Sequence, residues 1–244
     1  MNRNHQSDHG TTTSALHDMI IHAPHTAADI HIAGCTDDKT LPETKLLSLL
    51  SDSEQTKVLS LTDPAERRHL LFRRCFQRLF LAQSIDWPGH IRDLHIEHKL
   101  DTPPRLPDYP SLQFSFSSSG YSVVACASHK QVVGIDIEKI RSVPDPVGLS
   151  NRFFTPAEAA TLERMPENAR SAAFLHYWTA KEAGLKAIGK GIDSGLNSFV
   201  VSEIDDRYVV EYKNENSGYF TWNLQHLEFP EGHFVAFIHR AAST

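Results

Sequence analysis

The alternation of apolar and polar positions along the chain predicts a mixed set of strands and helices. Asp29–Cys35 (DIHIAGC) has the two-residue period of a half-buried strand. Ser51 followed by Glu54 is a capping box that opens a helix over about 52–60. Asp63-Pro64-Ala65-Glu66 supplies an acidic N-cap, Pro at the first helical position and Glu in the first turn. The helix that follows is expected to run to about Gln83, with Leu70, Leu71, Cys75, Leu79 and Ala82 on one stripe, and to stop at Trp87-Pro88-Gly89. A strand near 93–98 and a Pro-rich turn over 102–107 come next. Leu112–Phe116 and Tyr121–Ser128 read as strands separated by Ser117-Ser118-Ser119-Gly120, and Gln131–Ile140 as a third. Thr155-Pro156-Ala157-Glu158 opens a helix to about 165, and a long helix over about 168–188 stops at Gly189 and Gly191. Phe199–Ile204, Tyr208–Tyr212, Phe220–Leu227 and His233–His239 close the chain as four strands.

This order predicts an α+β fold with antiparallel sheets, in two halves of similar plan. The expected division is a polar tail over 1–28, an N-terminal half over 29–130 and a C-terminal half over 131–244. The tail holds His5, His9, His17, His22 and His25, but their spacing is irregular and suggests no metal site.

Composition narrows the class. At 244 residues the chain is long enough for a full core without disulfide or metal staples. A mean hydropathy of −0.34, with no apolar run near ~18 residues, predicts no membrane span. Cys35, Cys75 and Cys126 are odd in number and far apart, which fits a reducing cytoplasm better than a disulfide framework. A net charge of −6 argues against a nucleic-acid partner.

Three segments carry candidate chemistry. In Val133-Gly134-Ile135-Asp136-Ile137-Glu138 the strand period puts Asp136 and Glu138 on one face and Ile135 and Ile137 on the other. Two adjacent carboxylates repel unless water or a cation lies between them, although a solvated acidic strand has the same pattern. In Tyr177–Gly191, Glu182 and Lys186 share a helix face at i,i+4, an arrangement that also describes an ordinary surface ion pair. Phe174, Trp178 and Leu185 require a buried face nearby, and Gly184 inside the helix suggests close approach by another backbone or a ligand. Asp136, Glu138 and Glu182 together offer hard oxygen ligands suited to Mg²⁺ rather than zinc. Finally, Lys57, Arg67, Arg68, Arg73, Arg74 and Arg78 face only Asp63 and Glu66 in the same stretch, a pattern of either a solvated helix or a phosphate clamp.

GIDIEKI (134–140), RFFTPAEAATL (152–162) and YWTAKEAGLKAIGKGI (177–192) together resemble the 4′-phosphopantetheinyl transferases of the Sfp type. That family has a G-x-D-x-E strand followed by a W-[ST]-x-K-E-x-x-x-K helix; here Glu138 and Glu182 are 44 residues apart. FSFSSSG (114–120) stands where the family has F-N-[IL]-S-H-S-G, and the resemblance covers roughly 45–225. It implies a pseudo-twofold pair of α+β halves with the active site between them. It also implies transfer of the phosphopantetheine arm of coenzyme A to a serine of an acyl or peptidyl carrier protein, releasing 3′,5′-ADP. Asp136, Glu138 and Glu182 become the magnesium ligands, Glu182 the general base, and Lys186 a catalytic cation. Arg68, Arg74, Arg105, Ser117, Ser118, Lys181 and Lys186 become the coenzyme A contacts.

Two positions depart from the family pattern. Ser118 replaces the motif histidine, and Thr102-Pro103-Pro104 replaces a Gly-Lys-Pro segment, with Arg105 a possible substitute for its lysine. These departures keep open a non-catalytic homologue that binds coenzyme A or a carrier protein. A magnesium-dependent nuclease, suggested by Glu138-Lys139, is disfavoured by the negative net charge. Phe153 and Phe154 are candidates for either core or carrier docking. Two halves in one chain would let a monomer build the whole site.

Overall fold

The computed structural model describes residues 21–22, 29–98, 103–190, 195–204, 207–214, 218–228 and 230–241. Its first sheet contains β1 (Ile21–His22), β2 (Ile30–Thr36), β3 (Gln113–Ser119) and β4 (Ser122–Ser128), in the order β1-β2-β4-β3. Between β2 and β3 lie α1 (Glu43–Leu47), α2 (Asp52–Leu59) and α3 (Pro64–Ser84). The second sheet contains β5 (Gln131–Lys139), β6 (Phe199–Ile204), β7 (Arg207–Asn214), β8 (Gly218–Leu227) and β9 (His233–Ala241), in the order β5-β9-β8-β7-β6. Helices α4 (Pro146–Phe153), α5 (Pro156–Arg164) and α6 (Glu167–Ala187) follow β5. All strand pairs within both sheets are antiparallel, so the class is the α+β one expected. The chain passes from one sheet to the other at the turn between β4 and β5.

Helix boundaries follow their caps. Asp63 accepts from the backbone N–H of Ala65 and Glu66 at 2.7 and 2.9 Å, starting α3. Reciprocal capping boxes start α2 at Ser51/Glu54 and α5 at Thr155/Glu158. Helix α3 buries Leu71, Cys75, Leu79 and Ala82 against Ala33, Cys35, Val123, Ala125 and Ala127 of the first sheet. The other face of that sheet, through Ile30, Ile32, Val124 and Cys126, packs against Ile135, Ile137, Val235 and Phe237 of the second. The second sheet's outer face then receives Ala180, Ala183 and Leu185 of α6. The layers therefore run α3, first sheet, second sheet, α6.

Two glycines let the second sheet lie tight under α6, Gly134 on β5 itself and Gly184 on the helix, where it faces Phe199 of β6. A Cβ on Gly134 would stand 2.1 Å from the Ala183 carbonyl oxygen. One on Gly184 would stand 2.7 Å from the Phe199 ring, so the neighbour of this glycine is a side chain and not a ligand.

Some expectations need correcting. Residues 93–98 are not a strand: Ile91–Asp93 is a 3-10 turn, and a single bridge joins Glu97 to Arg105. Ser117–Ser119 belong to β3 and not to a linker. The polar extension over 1–28 falls mostly outside the described residues, as do its histidines apart from His22. Within it, Ile21 and His22 pair with Gly34 and Ala33 as an added strand. Helices α1 and α4 were not anticipated.

Candidate active site

Alternation along β5 points Gly134, Asp136 and Glu138 toward α6, opposite Ile135 and Ile137 in the core between the sheets. One end of α6 answers with Glu182 and Lys186, one turn apart. Lys186 Nζ donates to Asp136 Oδ1 at 2.5 Å and to Ser117 Oγ at 2.7 Å, and Ser117 Oγ donates to the same carboxylate oxygen at 2.7 Å. Ser117 arrives there because β3 runs beside β5. Alternate serines of β3 meet it, Ser115 accepting from Ile135 N–H and Ser119 from Lys139 N–H. Ser118, by the same alternation, lies on the opposite face of β3 from Ser117.

Burial makes this group electrostatically tense. Asp136 is only 4% exposed, and its Oδ2 is buried with no hydrogen-bond partner among the described residues. Glu182 Oε1 is in the same condition. Burial, aided by the Asp136 charge, pushes the Glu182 carboxyl up to about 7, against the pull of Lys186. Glu138 is raised by the same two causes in the same order. Among the described residues no three His, Cys, Asp or Glu side chains are gathered as a ready metal shell. The positive charge at Asp136 comes from Lys186.

Next to this group opens a cleft of about 590 Å³. Its walls are Pro103, Pro104 and Arg105 on one side and Val133, Lys186 and Gly189 on the other. Arg105 is exposed there, in the same cleft as Lys186.

The profile of the 4′-phosphopantetheinyl transferase superfamily matches residues 132–238, which include β5 and α6. A 4′-phosphopantetheinyl transferase of Bacillus subtilis is 33% identical over 135 residues, 55% of this chain and 52% of that one. The Sfp enzyme of Bacillus subtilis strain 168 is 38% identical over 98 residues, 40% of this chain and 42% of its own. The slr0495 protein of Synechocystis sp., which carries a provisional form of the same name, is 30% identical over 180 residues, 72% of this chain and 71% of that one. The chain belongs to the 4′-phosphopantetheinyl transferase superfamily. Its matches to the two Bacillus proteins span about half of their length or less.

Against the residues that family membership suggested, the structure brings Asp136, Glu182, Lys186 and Ser117 together, with Glu138 on the same strand face. Arg105 shares the adjoining cleft. Three others are engaged elsewhere. Lys181 is fully buried, ion-paired to Glu158 at 2.7 Å, and donates to the carbonyls of Leu196 at 3.2 Å and Phe199. It anchors α6 to α5 and β6, and cannot reach a phosphate in the cleft. Arg68 spends its fork on Asp37, at 2.6 Å to both oxygens, and on the Leu41 carbonyl at 2.7 Å. Arg74 contacts Gln77 and His98. The basic helix is largely neutralised from within, since Arg67 pairs with Glu43 and the buried Arg78 with Glu54. Its acidic partners lie far away in sequence, so the local charge excess overstated a phosphate clamp. Glu158, which sequence reading recognised only as a cap, is the residue that fixes Lys181. Phe154 is core; Phe153 packs edge-on against Trp178 and is partly exposed.

Proposed function

We infer that this protein transfers 4′-phosphopantetheine from coenzyme A to a serine of an acyl or peptidyl carrier protein, with Mg²⁺ and with release of 3′,5′-ADP. One observation carries the reading: a buried and a half-buried carboxylate, each with a buried, unpartnered oxygen, stand beside a lysine at the mouth of a cleft, on the motif elements of this superfamily. Unpartnered hard oxygens on Asp136 and Glu182, with Glu138 alongside, fit a divalent cation of the Mg²⁺ class. These three residues would hold it. When bound, the ion supplies charge neutralisation to the pyrophosphate as its P–O bond breaks.

The chain's own groups do the remainder. Glu182, with its carboxyl near 7, is poised to accept the carrier serine's proton as the serine oxygen attacks the phosphorus bearing the pantetheine arm. The bond to the ADP oxygen breaks, and its electron pair leaves on the ADP phosphate. In this reading the Lys186 ammonium, oriented by Ser117 and Asp136, donates to that oxygen. Arg105 supplies a guanidinium to coenzyme A phosphates from the opposite wall. The exposed part of Phe153 is the apolar element offered to the carrier. Three free, buried cysteines support a reducing, cytoplasmic setting, and the presence of both sheets in one chain supports a monomer.

The test is intact-protein mass of an apo carrier incubated with this protein, coenzyme A and MgCl₂. A gain of one phosphopantetheine is expected. Coenzyme A binding without a gain on fatty-acid, polyketide or peptide carriers would replace transfer with the non-catalytic reading.

A further inference from the structure

A second cavity, of about 440 Å³, lies on the sheet face beneath the N-terminal half of α6. Its floor is where the packed face of the second sheet runs out. From Phe199 the strand alternation carries Val201 and Glu203 onto the α6 side, and Tyr208 stands opposite Glu203 in register. On β8 the same alternation carries Trp222, Leu224 and His226 there. Phe199, Trp222 and Leu224 are buried by α6, whereas Glu203, Tyr208 and His226 line an open cavity with His176 and Tyr177 of that helix. These two residues lie five and six positions before Glu182, so the cavity is about 9 Å along the helix from the carboxylates.

The walls are rings. His226 sits between His176, edge-on at 4.8 Å, and Tyr208 at 5.8 Å, and Tyr177 and Met165 also line the cavity. Burial and then His176 push His226 down to about 4, and burial lowers His176, so the site disfavours the charged form of both imidazoles. Among the described residues no lysine or arginine lines the cavity. Its one carboxylate, Glu203, has no hydrogen bond or ion pair to another described residue. Tyr208 is 50% exposed, so its ring is open to an incoming group. Aromatic faces with a lone carboxylate at the rim favour positive charge and reject negative charge.

We propose that this cavity binds a small organic cation, an aromatic or alkyl ammonium, whose apolar body lies among Tyr177, Tyr208 and His226 and whose charge faces Glu203. The site is separate from the coenzyme A cleft and does not depend on the transfer reaction.

Methionine labelling reads it directly. The chain has three methionines, of which Met165 lines the cavity and Met1 and Met19 lie in the N-terminal extension. In the full chain with labelled methionine methyls, Met165→Leu assigns the reporter resonance. Titration with phenethylammonium is expected to shift that resonance saturably, with phenethyl alcohol weaker and hydrocinnamate weakest. Glu203→Gln is expected to weaken the cation by roughly three- to tenfold while leaving phenethyl alcohol unchanged, and Tyr208→Leu to weaken the cation similarly. No saturable shift, equal affinity for the three probes, or an unaltered affinity in both variants would overturn the proposal.

Discussion

Lys186 Nζ lies 2.5 Å from Asp136 Oδ1, joining the end of α6 to the middle of β5 across 50 residues of chain. This contact gives a buried carboxylate its nearest positive charge, and Ser117 Oγ closes the triangle at 2.7 Å to each. Lysine is thereby held in one orientation at the edge of the cleft. Lys186→Met should lower transfer by roughly 10²-fold or more, the size typical for loss of one preorganised donor to developing charge. Lys186→Arg keeps the charge but not the compact point geometry, and should recover only part of the rate. Steady-state kinetics on an apo carrier decide this; a near-normal rate for Lys186→Met would remove lysine from the reaction.

The metal reading predicts a thermal signature that needs no turnover. A ligand that binds only the folded state stabilises it by about 2.7 kcal/mol at one hundred times its Kd. Mg²⁺ should therefore raise the melting temperature of the wild-type chain and act more strongly with coenzyme A present. Asp136→Asn should abolish the Mg²⁺ effect while keeping the shape of the site. An equal Mg²⁺ shift in that variant would count against Asp136 as a ligand.

Glu182→Gln separates chemistry from folding. Positioned general bases are worth about 10²–10⁴-fold, so transfer should fall by that factor. Because burial already opposes charge on Glu182, the neutral isostere should melt no lower than wild type at pH 8. Circular dichroism melts and transfer rates on the same preparations provide the check. Retained activity would exclude Glu182 as the base.

The α+β class, both long helices and all of the closing strands are legible in the sequence because their signals are local. Caps, Pro at the first helical position and two-residue alternation act within a few residues. The G-x-D-x-E strand and K-E-x-x-x-K helix also announce the carboxylate group. Helix α4 was legible but unread: Asp145-Pro146 repeats the Asp63-Pro64 signature, and Asp145 accepts from Gly148 N–H at 2.9 Å. What was not legible is pairing at a distance. Asp37 is 31 residues from Arg68 and Glu54 is 24 from Arg78, and nothing in a helix's own charge count reveals them. Lys181 failed for the same reason, since its partner Glu158 already had a sufficient local explanation as a cap.

That buried pair carries its own prediction. Removing one partner of a buried ion pair strands the other charge and typically costs about 3–5 kcal/mol. Lys181→Met should therefore destabilise strongly, and so should Glu158→Gln, which also replaces one of the two oxygens that accept from Thr155 and Val201 N–H with a donor. The double variant should lose less than the sum of the two. Urea unfolding of the four proteins gives the coupling energy; strict additivity would mean the two side chains do not depend on each other.

Glu54 makes the stability of the fold depend on acid. Burial opposes its charge, but the His98 hydrogen bond and the Arg78 guanidinium at 2.5 Å outweigh that and bring its carboxyl down to about 2 from an ordinary 4.5. The folded state thus releases this proton more readily than the unfolded chain does. Its contribution is fully present above pH 4.5 and is lost as pH falls through 2, below which both states are protonated. Glu54→Gln should lower stability by a few kcal/mol at neutral pH and, within that window, flatten the decline expected of wild type. Urea unfolding between pH 3 and pH 6 is the measurement. A variant whose stability falls with acid as steeply as wild type would place the acid-sensitive group elsewhere.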